Sequence, residues 1–115
     1  MKQEGNIEVT YIDKVAEISF YHPASNSFPS YLLEDLRNTF NSLSENSSIQ
    51  VIVLKSKGEG AFCAGASFDE LLQVNDLQSG TSFFSGFANV INAMRTCSKL
   101  IIASVHGKAV GGGVG

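Results

Sequence analysis

The chain is poor in the residues that most often build metal centres and disulfide frameworks. Its 115 residues include only two cysteines, Cys63 and Cys97, two histidines, His22 and His106, and no tryptophan. Two cysteines make neither a disulfide framework nor a zinc pattern, and two histidines add too few ligands for a metal cluster. We therefore expect no metal and no resident cofactor, so that any chemistry relies on the chain's own groups.

Charge and long apolar runs are also scarce. Charged residues make up 17% of the chain, the formal net charge is −3, and the eight Lys and Arg residues are scattered. Scattered cations do not form the basic patch that binds nucleic acid or an anionic membrane. No apolar stretch reaches the ~18 residues of a membrane span, and the polar start is not a signal peptide. The expectation is a cytoplasmic protein of one domain, without nucleic-acid or membrane partners.

Local patterns in the first half of the chain predict a hairpin and a helix. Two β-rich runs, residues 7–12 and 15–21, flank Asp13 and Lys14, a spacing that places Asp13 in a tight turn. From Ser30, apolar residues recur at helical spacing and form one stripe of an amphipathic helix: Leu33, Leu36, Phe40 and Leu43. The chain is thus expected to open with antiparallel strands followed by a helix.

The second half of the chain predicts parallel strands joined by helices. Residues 51–54 and 101–105 are continuous apolar runs, typical of strands that are covered on both faces. Between them, a helical stripe runs from Phe83 to Met94. Residues 75–81, which contain Gly80, are predicted to form a flexible link before that helix. Together the two halves indicate an α/β fold.

Two glycine-punctuated loops, residues 60–67 and 107–113, each follow an apolar strand and lead towards a helix start. Ser67 and Glu70 have the S-x-x-E spacing of a capping box, in which each side chain accepts from the other's backbone N–H. Gly65 permits an unusual backbone angle and close approach by a ligand. Paired backbone N–H groups of this kind stabilise an oxyanion or enolate without any side chain.

Other interpretations of these loops stay open. Either loop alone is compatible with a simple tight connection between a strand and a helix. A phosphate-binding loop is disfavoured because residues 58–63 lack the last glycine of G-x-G-x-x-G, and no G-K-[ST] follows either loop. Cys63 has no neighbouring cation that would activate a thiolate, which favours a small buried apolar residue over a nucleophile.

Four segments in this order and spacing resemble the N-terminal part of the enoyl-CoA hydratase/isomerase family, the crotonase superfamily. These segments are residues 22–26, 51–54, 61–66 and 106–113. The resemblance implies that residues 1–115 are the N-terminal part of a single crotonase-like domain, a spiral of repeated ββα units that is incomplete in this chain. It also implies a homotrimer or homohexamer when the protein is full length.

The same resemblance implies a coenzyme A thioester as substrate, in fatty acid metabolism. By position, Ala66 and Gly112 would supply the two backbone N–H groups of an oxyanion hole that holds the thioester oxygen of an enolate-like intermediate. Asn26, Ala64 and Gly65 match places where family members hold the nucleotide portion of coenzyme A. The implied function is an enoyl-CoA hydratase or isomerase, a lyase or an isomerase.

The chain departs from the family pattern at Gly115. Hydratases usually carry a glutamate two residues after the three glycines, and a glycine cannot act as a general acid or base. A carboxylate beyond residue 115 is therefore expected to move the proton, and hydration, isomerisation and other enolate reactions all stay open. Residues 1–115 alone are expected to be inactive. The alternative is a non-catalytic crotonase-fold subunit that binds acyl-CoA or sister subunits.

Overall fold

A computed structural model describes residues 4–115 of the chain. A mixed four-stranded sheet, a pair of two-residue strands and two long helices make up the fold. In chain order the elements are β1 (Asn6–Ile12), β2 (Val15–Tyr21), β3 (Ser27–Phe28), α1 (Ser30–Ser44), β4 (Val51–Ser56), β5 (Gly65–Ala66), α2 (Phe68–Leu71), α3 (Leu77–Thr96) and β6 (Leu100–Ala103), followed by a 3₁₀ turn, Gly111–Gly113.

The predicted hairpin is confirmed. β1 and β2 pair antiparallel from Asn6 opposite Tyr21 to Ile12 opposite Val15. Asp13 occupies the turn with a φ of 53°, in the left-handed region that aspartate tolerates better than most residues. Of the two hairpin strands, β1 lies at the edge of the sheet and β2 is a central strand.

The parallel strands are also confirmed, but one of them is less covered than predicted. β2, β4 and β6 lie side by side and parallel, with Ile18 opposite Leu54 and Leu54 opposite Ala103. Ile18 and Leu54 face the buried core. On the opposite face of the sheet, Leu100 and Ile102 of β6 are exposed. The expectation that this strand is covered on both faces is therefore wrong for residues 4–115, because α1 and α3 supply only one layer.

α1 packs against α3, and the predicted stripe of α1 is buried. α3 begins earlier than predicted, because Asp76 and Ser79 form a capping box. The N–H of Ser79 donates to Asp76 Oδ1 at 2.7 Å, and the N–H of Asp76 donates to Ser79 Oγ at 3.2 Å. The flexible link predicted for residues 75–81 is therefore wrong from Leu77 onward, since this local cap outweighs the low helix propensity of Gly80. No helix in the described part of the chain is long and apolar enough to cross a membrane.

Candidate functional site

The two glycine loops lie side by side. Cys63 and Ala109 form a parallel bridge between them. The N–H of Phe62 donates to the carbonyl of Lys108 at 2.9 Å, and the N–H of Val110 donates to the carbonyl of Cys63 at 3.1 Å. The loops are 40-odd residues apart in the chain, at about residues 60–67 and 107–113, so only the parallel alignment of β4 and β6 brings them together.

In the first loop, Ala66 lies in β5, which pairs in parallel with β3. The N–H of Ser67 donates to the carbonyl of Phe28 in that neighbour at 3.3 Å. Because alternate residues of a parallel strand donate to the same neighbouring strand, the N–H of Ala66 points away from β3. The N–H that the sequence singled out is therefore not used to join these two strands.

In the second loop, Gly112 lies in the middle of the 3₁₀ turn. Its neighbour Gly113 donates to the carbonyl of Val110 at 2.9 Å, and Val114 donates to the carbonyl of Gly111 at 3.1 Å. Gly111 has a φ of 54°, which suits glycine. Within residues 4–115 the N–H of Gly112 itself donates no hydrogen bond.

Neither Gly65 nor Gly112 has room for a side chain, Gly65 because it packs against the second glycine loop and Gly112 because it packs against Phe87. A Cβ on Gly65 would lie 3.0 Å from the carbonyl oxygen of Val110 and 3.1 Å from the nitrogen of Gly112. A Cβ on Gly112 would lie 2.8 Å from Cε1 of Phe87, so the ring covers that Cα directly. β5 therefore lies beside the 3₁₀ turn that contains Gly112. That the two N–H groups bind a thioester oxygen stays a prediction.

The predicted capping box of Ser67 is half correct. Ser67 Oγ accepts from the N–H of Glu70 at 3.3 Å, as expected. The carboxylate of Glu70 does not return to the backbone of Ser67; it accepts from the N–H of Ser30 at 2.6 Å and from the Ser30 hydroxyl. Glu70 binds there because α1 has no side-chain cap of its own. Pro29, at the N-cap position, has no side-chain oxygen to accept from the first N–H groups of the helix, so these groups are available to Glu70.

Asn26 is buried with a φ of 56°, and its side chain is fully engaged. Its Nδ2 donates to the carbonyls of Lys57 at 2.9 Å and Ala61 at 3.0 Å, and its Oδ1 accepts from the N–H of His22 at 2.8 Å. The amide therefore fastens its own loop to the connection between β4 and β5, and its hydrogen bonds are used within the protein. A role for the backbone here in holding coenzyme A, with half-buried Ala64 and buried Gly65, stays a prediction.

An apolar cavity of about 170 Å³ adjoins Gly112. Phe87 and Ile91 of α3 face it from one side, and Gly112 and Gly115 border it from another. No Asp, Glu or His of the described residues lines this cavity. The sequence predicted the helical stripe that contains Phe87, but no signal within that stripe showed that it would cover the second glycine loop.

Cys63 is buried beside the same turn, as its sequence context predicted. A Cβ on Gly113 would lie 3.0 Å from Cys63 Sγ. Burial raises the pKa of the thiol, and a backbone hydrogen bond at Gly65 only partly offsets that effect. The thiol therefore resists ionisation, which is the opposite of what an activated nucleophile needs.

Three comparisons place the chain among known proteins. A family model described as enoyl-CoA hydratase/isomerase matches residues 11–115. The short-chain-enoyl-CoA hydratase of Clostridium acetobutylicum is 30% identical over 110 residues, which are 95% of this chain and 42% of that protein. The crystal structure of an enoyl-CoA hydratase from Bacillus anthracis superposes with a TM-score of 0.86 at 32% identity, over 94% of this chain and 42% of that one. The structure of Pseudomonas aeruginosa DspI gives a TM-score of 0.87 at 26% identity, over 94% and 41%.

Proposed function

The chain belongs to the enoyl-CoA hydratase/isomerase family, and on this premise we propose that the complete protein acts on an acyl-CoA thioester. Its predicted crotonase fold is confirmed by the structural likenesses, although the chain spans only 42% of the relative from Bacillus anthracis. In the proposed mechanism, the thioester oxygen accepts hydrogen bonds from the N–H groups of Ala66 and Gly112. The observation that carries the proposal is that β5 lies beside the 3₁₀ turn, in which the N–H of Gly112 donates no hydrogen bond within residues 4–115.

Two fixed N–H donors stabilise charge that develops on the thioester oxygen as an enolate forms. Both donors lie in structured backbone: Ala66 is in β5, which pairs with β3, and Gly112 is in the 3₁₀ turn, against the ring of Phe87. The apolar cavity beside Gly112 lowers the local dielectric and strengthens the electrostatic interaction. Loss of one such donor in other enzymes reduces kcat by about 100- to 1,000-fold, or about 2.7–4 kcal/mol.

A specific observation also favours a second candidate function. No carboxylate or imidazole of residues 4–115 lines the cavity beside Gly112. The family resemblance implies a glutamate at position 115 of hydratases, where this chain has Gly115. Oxyanion donors alone can polarise a thioester, but proton transfer needs a group that titrates. The second candidate is therefore a non-catalytic subunit that binds acyl-CoA or sister subunits. Under the first candidate, a carboxylate beyond residue 115 moves the proton.

The finer properties of the complete protein belong to the same proposal. We propose a homotrimer or homohexamer in the cytoplasm, active in fatty acid metabolism without a metal or resident cofactor, either as a hydratase or as an isomerase. Asn26, Ala64 and Gly65 hold the nucleotide portion of the substrate through the shape of their backbone. Residues 1–115 alone are proposed to be inactive, since no carboxylate or imidazole of residues 4–115 lines the cavity beside Gly112.

The direct test removes the N–H of Ala66 without adding or deleting any side-chain atom. Incorporation of lactic acid at position 66 replaces the amide by an ester, and lactic acid at position 61 is the matched control. The N–H of Ala61 donates no hydrogen bond within the described residues. We expect the ester at position 66 to lower kcat for but-2-enoyl-CoA by about 100-fold or more, with the ester at position 61 close to the parent.

The outcomes separate the two candidates. Turnover that survives the ester at position 66 would refute the role of Ala66. Binding of but-2-enoyl-CoA by the parent without any turnover would identify the non-catalytic subunit. Absence of binding by the parent would refute the first candidate and the acyl-CoA-binding form of the second, and would leave only a subunit that binds its sister subunits.

A further inference from the structure

α2 has little packing of its own to hold it in place. It is four residues long, has no buried side chain, and carries Phe68 with 68% of its surface exposed. A helix this short is not stable by itself in water. Side-chain hydrogen bonds hold it at two residues: Ser67 caps its first turn, and Glu70 joins it to Ser30.

Glu70 fastens α2 to a rigid part of the molecule. Its carboxylate accepts from the N–H and the hydroxyl of Ser30, 40 positions earlier in the sequence. Ser30 is the first residue of α1, a helix of 15 residues with five buried apolar side chains. The carboxylate also lies at the positive end of that helix, where negative charge is favourable.

The Glu70–Ser30 contact is the second of two contacts that join the segment after Ala66 to the segment that leads into α1. β3 leads through Pro29 into α1, and β5 leads through Ser67 into α2. These two segments of the chain are joined first by the hydrogen bond from the N–H of Ser67 to the carbonyl of Phe28. A few residues later they are joined again by the contact of Glu70 with Ser30. Ala66 directly precedes the residues that make these two contacts, so the contacts limit how far the peptide at Ala66 can rotate.

We propose that Glu70 is a positioning residue for the N–H of Ala66, acting through Ser67 and α2 without touching the substrate. This inference rests on the proposed function, because its consequence is the alignment of one oxyanion donor. A donor that is displaced or mobile stabilises the transition state less, and small misplacements in active sites cost up to about 100-fold in rate. Glu70 offers two acceptor oxygens and is long enough to reach the first residue of α1.

The variants separate this role from a general effect of charge. Glu70→Gln keeps the length but loses one acceptor oxygen, and Glu70→Asp keeps the carboxylate but is one methylene shorter. Ser30→Ala removes only the hydroxyl donor and leaves the backbone donor. Asp69→Asn is the matched control, since Asp69 lies in the same turn, is exposed and makes no hydrogen bond to the described residues.

Two readouts on the complete protein report on the donor itself. The first is the carbonyl stretching frequency of bound butyryl-CoA, a saturated thioester, measured by difference infrared spectroscopy; a lower frequency reports a more polarised carbonyl. The second is kcat and KM for but-2-enoyl-CoA. We expect Glu70→Gln to reduce the frequency shift and to lower kcat by about tenfold, with KM changed by less than about twofold.

The other variants complete the test. Ser30→Ala should fall between the parent and Glu70→Gln, Glu70→Asp should resemble Glu70→Gln, and Asp69→Asn should match the parent. If the parent polarises butyryl-CoA and Glu70→Gln keeps the full frequency shift and kcat, the inference about Glu70 is overturned while the proposed function stands. If the parent binds no acyl-CoA, the proposed function fails, and the inference fails with it. A fall in kcat that Asp69→Asn reproduces would assign the effect to charge and also overturn the inference.

Discussion

Replacement of Asn26 by alanine tests how the first glycine loop is held. The side chain makes three hydrogen bonds, to Lys57, Ala61 and His22, and it is 4% exposed. Asn26 also has a φ of 56°, a backbone conformation that asparagine tolerates better than alanine. Asn26→Ala removes the hydrogen bonds and leaves a Cβ in that unfavourable conformation.

The expected loss of stability follows from these contacts. Three hydrogen bonds at about 1 kcal/mol each give about 3 kcal/mol, and the left-handed backbone adds about 1 kcal/mol for alanine. Asn26→Ala is therefore expected to lower the free energy of unfolding by about 4 kcal/mol. Asn26→Gly loses the same hydrogen bonds without the conformational cost, so about 3 kcal/mol is expected.

Urea unfolding of the complete protein measures both values from the shift of the midpoint at constant m-value. Ser25→Ala is the matched control, because Ser25 has a φ of 57° but is exposed and makes no side-chain hydrogen bond to the described residues. We expect the control to change the free energy of unfolding by less than about 0.5 kcal/mol. The reasoning would be refuted if Asn26→Ala cost no more than Ser25→Ala, or if Asn26→Gly cost more than Asn26→Ala.

Three further predictions concern the second loop, the buried thiol and the start of α3. Gly112→Ala places a Cβ 2.8 Å from Phe87 and should cost about 1–3 kcal/mol in urea unfolding. Phe87→Leu should recover part of that loss, and strictly additive effects in the double variant would contradict the contact. Burial raises the pKa of Cys63, so the folded state favours the un-ionised thiol. The stability that the un-ionised thiol contributes is complete below the unfolded thiol pKa of about 8.5 and is lost as pH rises through the higher folded value. Iodoacetamide should label Cys63 only slowly at pH 8 until urea is added, and rapid labelling of the folded protein would oppose this. Hydrogen bonds from the backbone and side chain of Ser79 hold the pKa of Asp76 below its ordinary 3.8. The stability that Asp76 contributes is therefore present above that value and lost as pH falls through the folded pKa. An NMR titration of the Asp76 carboxyl would measure its pKa in the parent and in Ser79→Ala, where the pKa should lie closer to 3.8.

Local sequence signals predicted most of the elements, because the interactions that produce them act within a few residues. Asp13 between two β-rich runs indicated the hairpin turn, and the stripe from Leu33 to Leu43 indicated the buried face of α1. The early start of α3 was equally local, since Asp76 and Ser79 have the spacing of a cap, but the presence of Gly80 favoured the wrong interpretation.

For the candidate site, the sequence indicated which backbone groups to examine but not what surrounds them. It could not show that the amide of Asn26 is consumed inside the protein, because the carbonyls that it binds belong to residues 31 and 35 positions later. Nor could it show the exposed face of β6, which depends on how many layers cover the sheet.

By itself, the sequence determined the order of the four strands of the main sheet and of the two long helices, the two glycine loops, and the absence of a glutamate at position 115. Tertiary structure decided that Gly65 lies against the nitrogen of Gly112, that Phe87 covers the same glycine, and that Glu70 binds the start of α1. The physical reason is the range of the interactions. Periodicity, turns and caps depend on neighbouring residues, whereas these contacts exist only once parallel strands and packed helices have brought distant segments together.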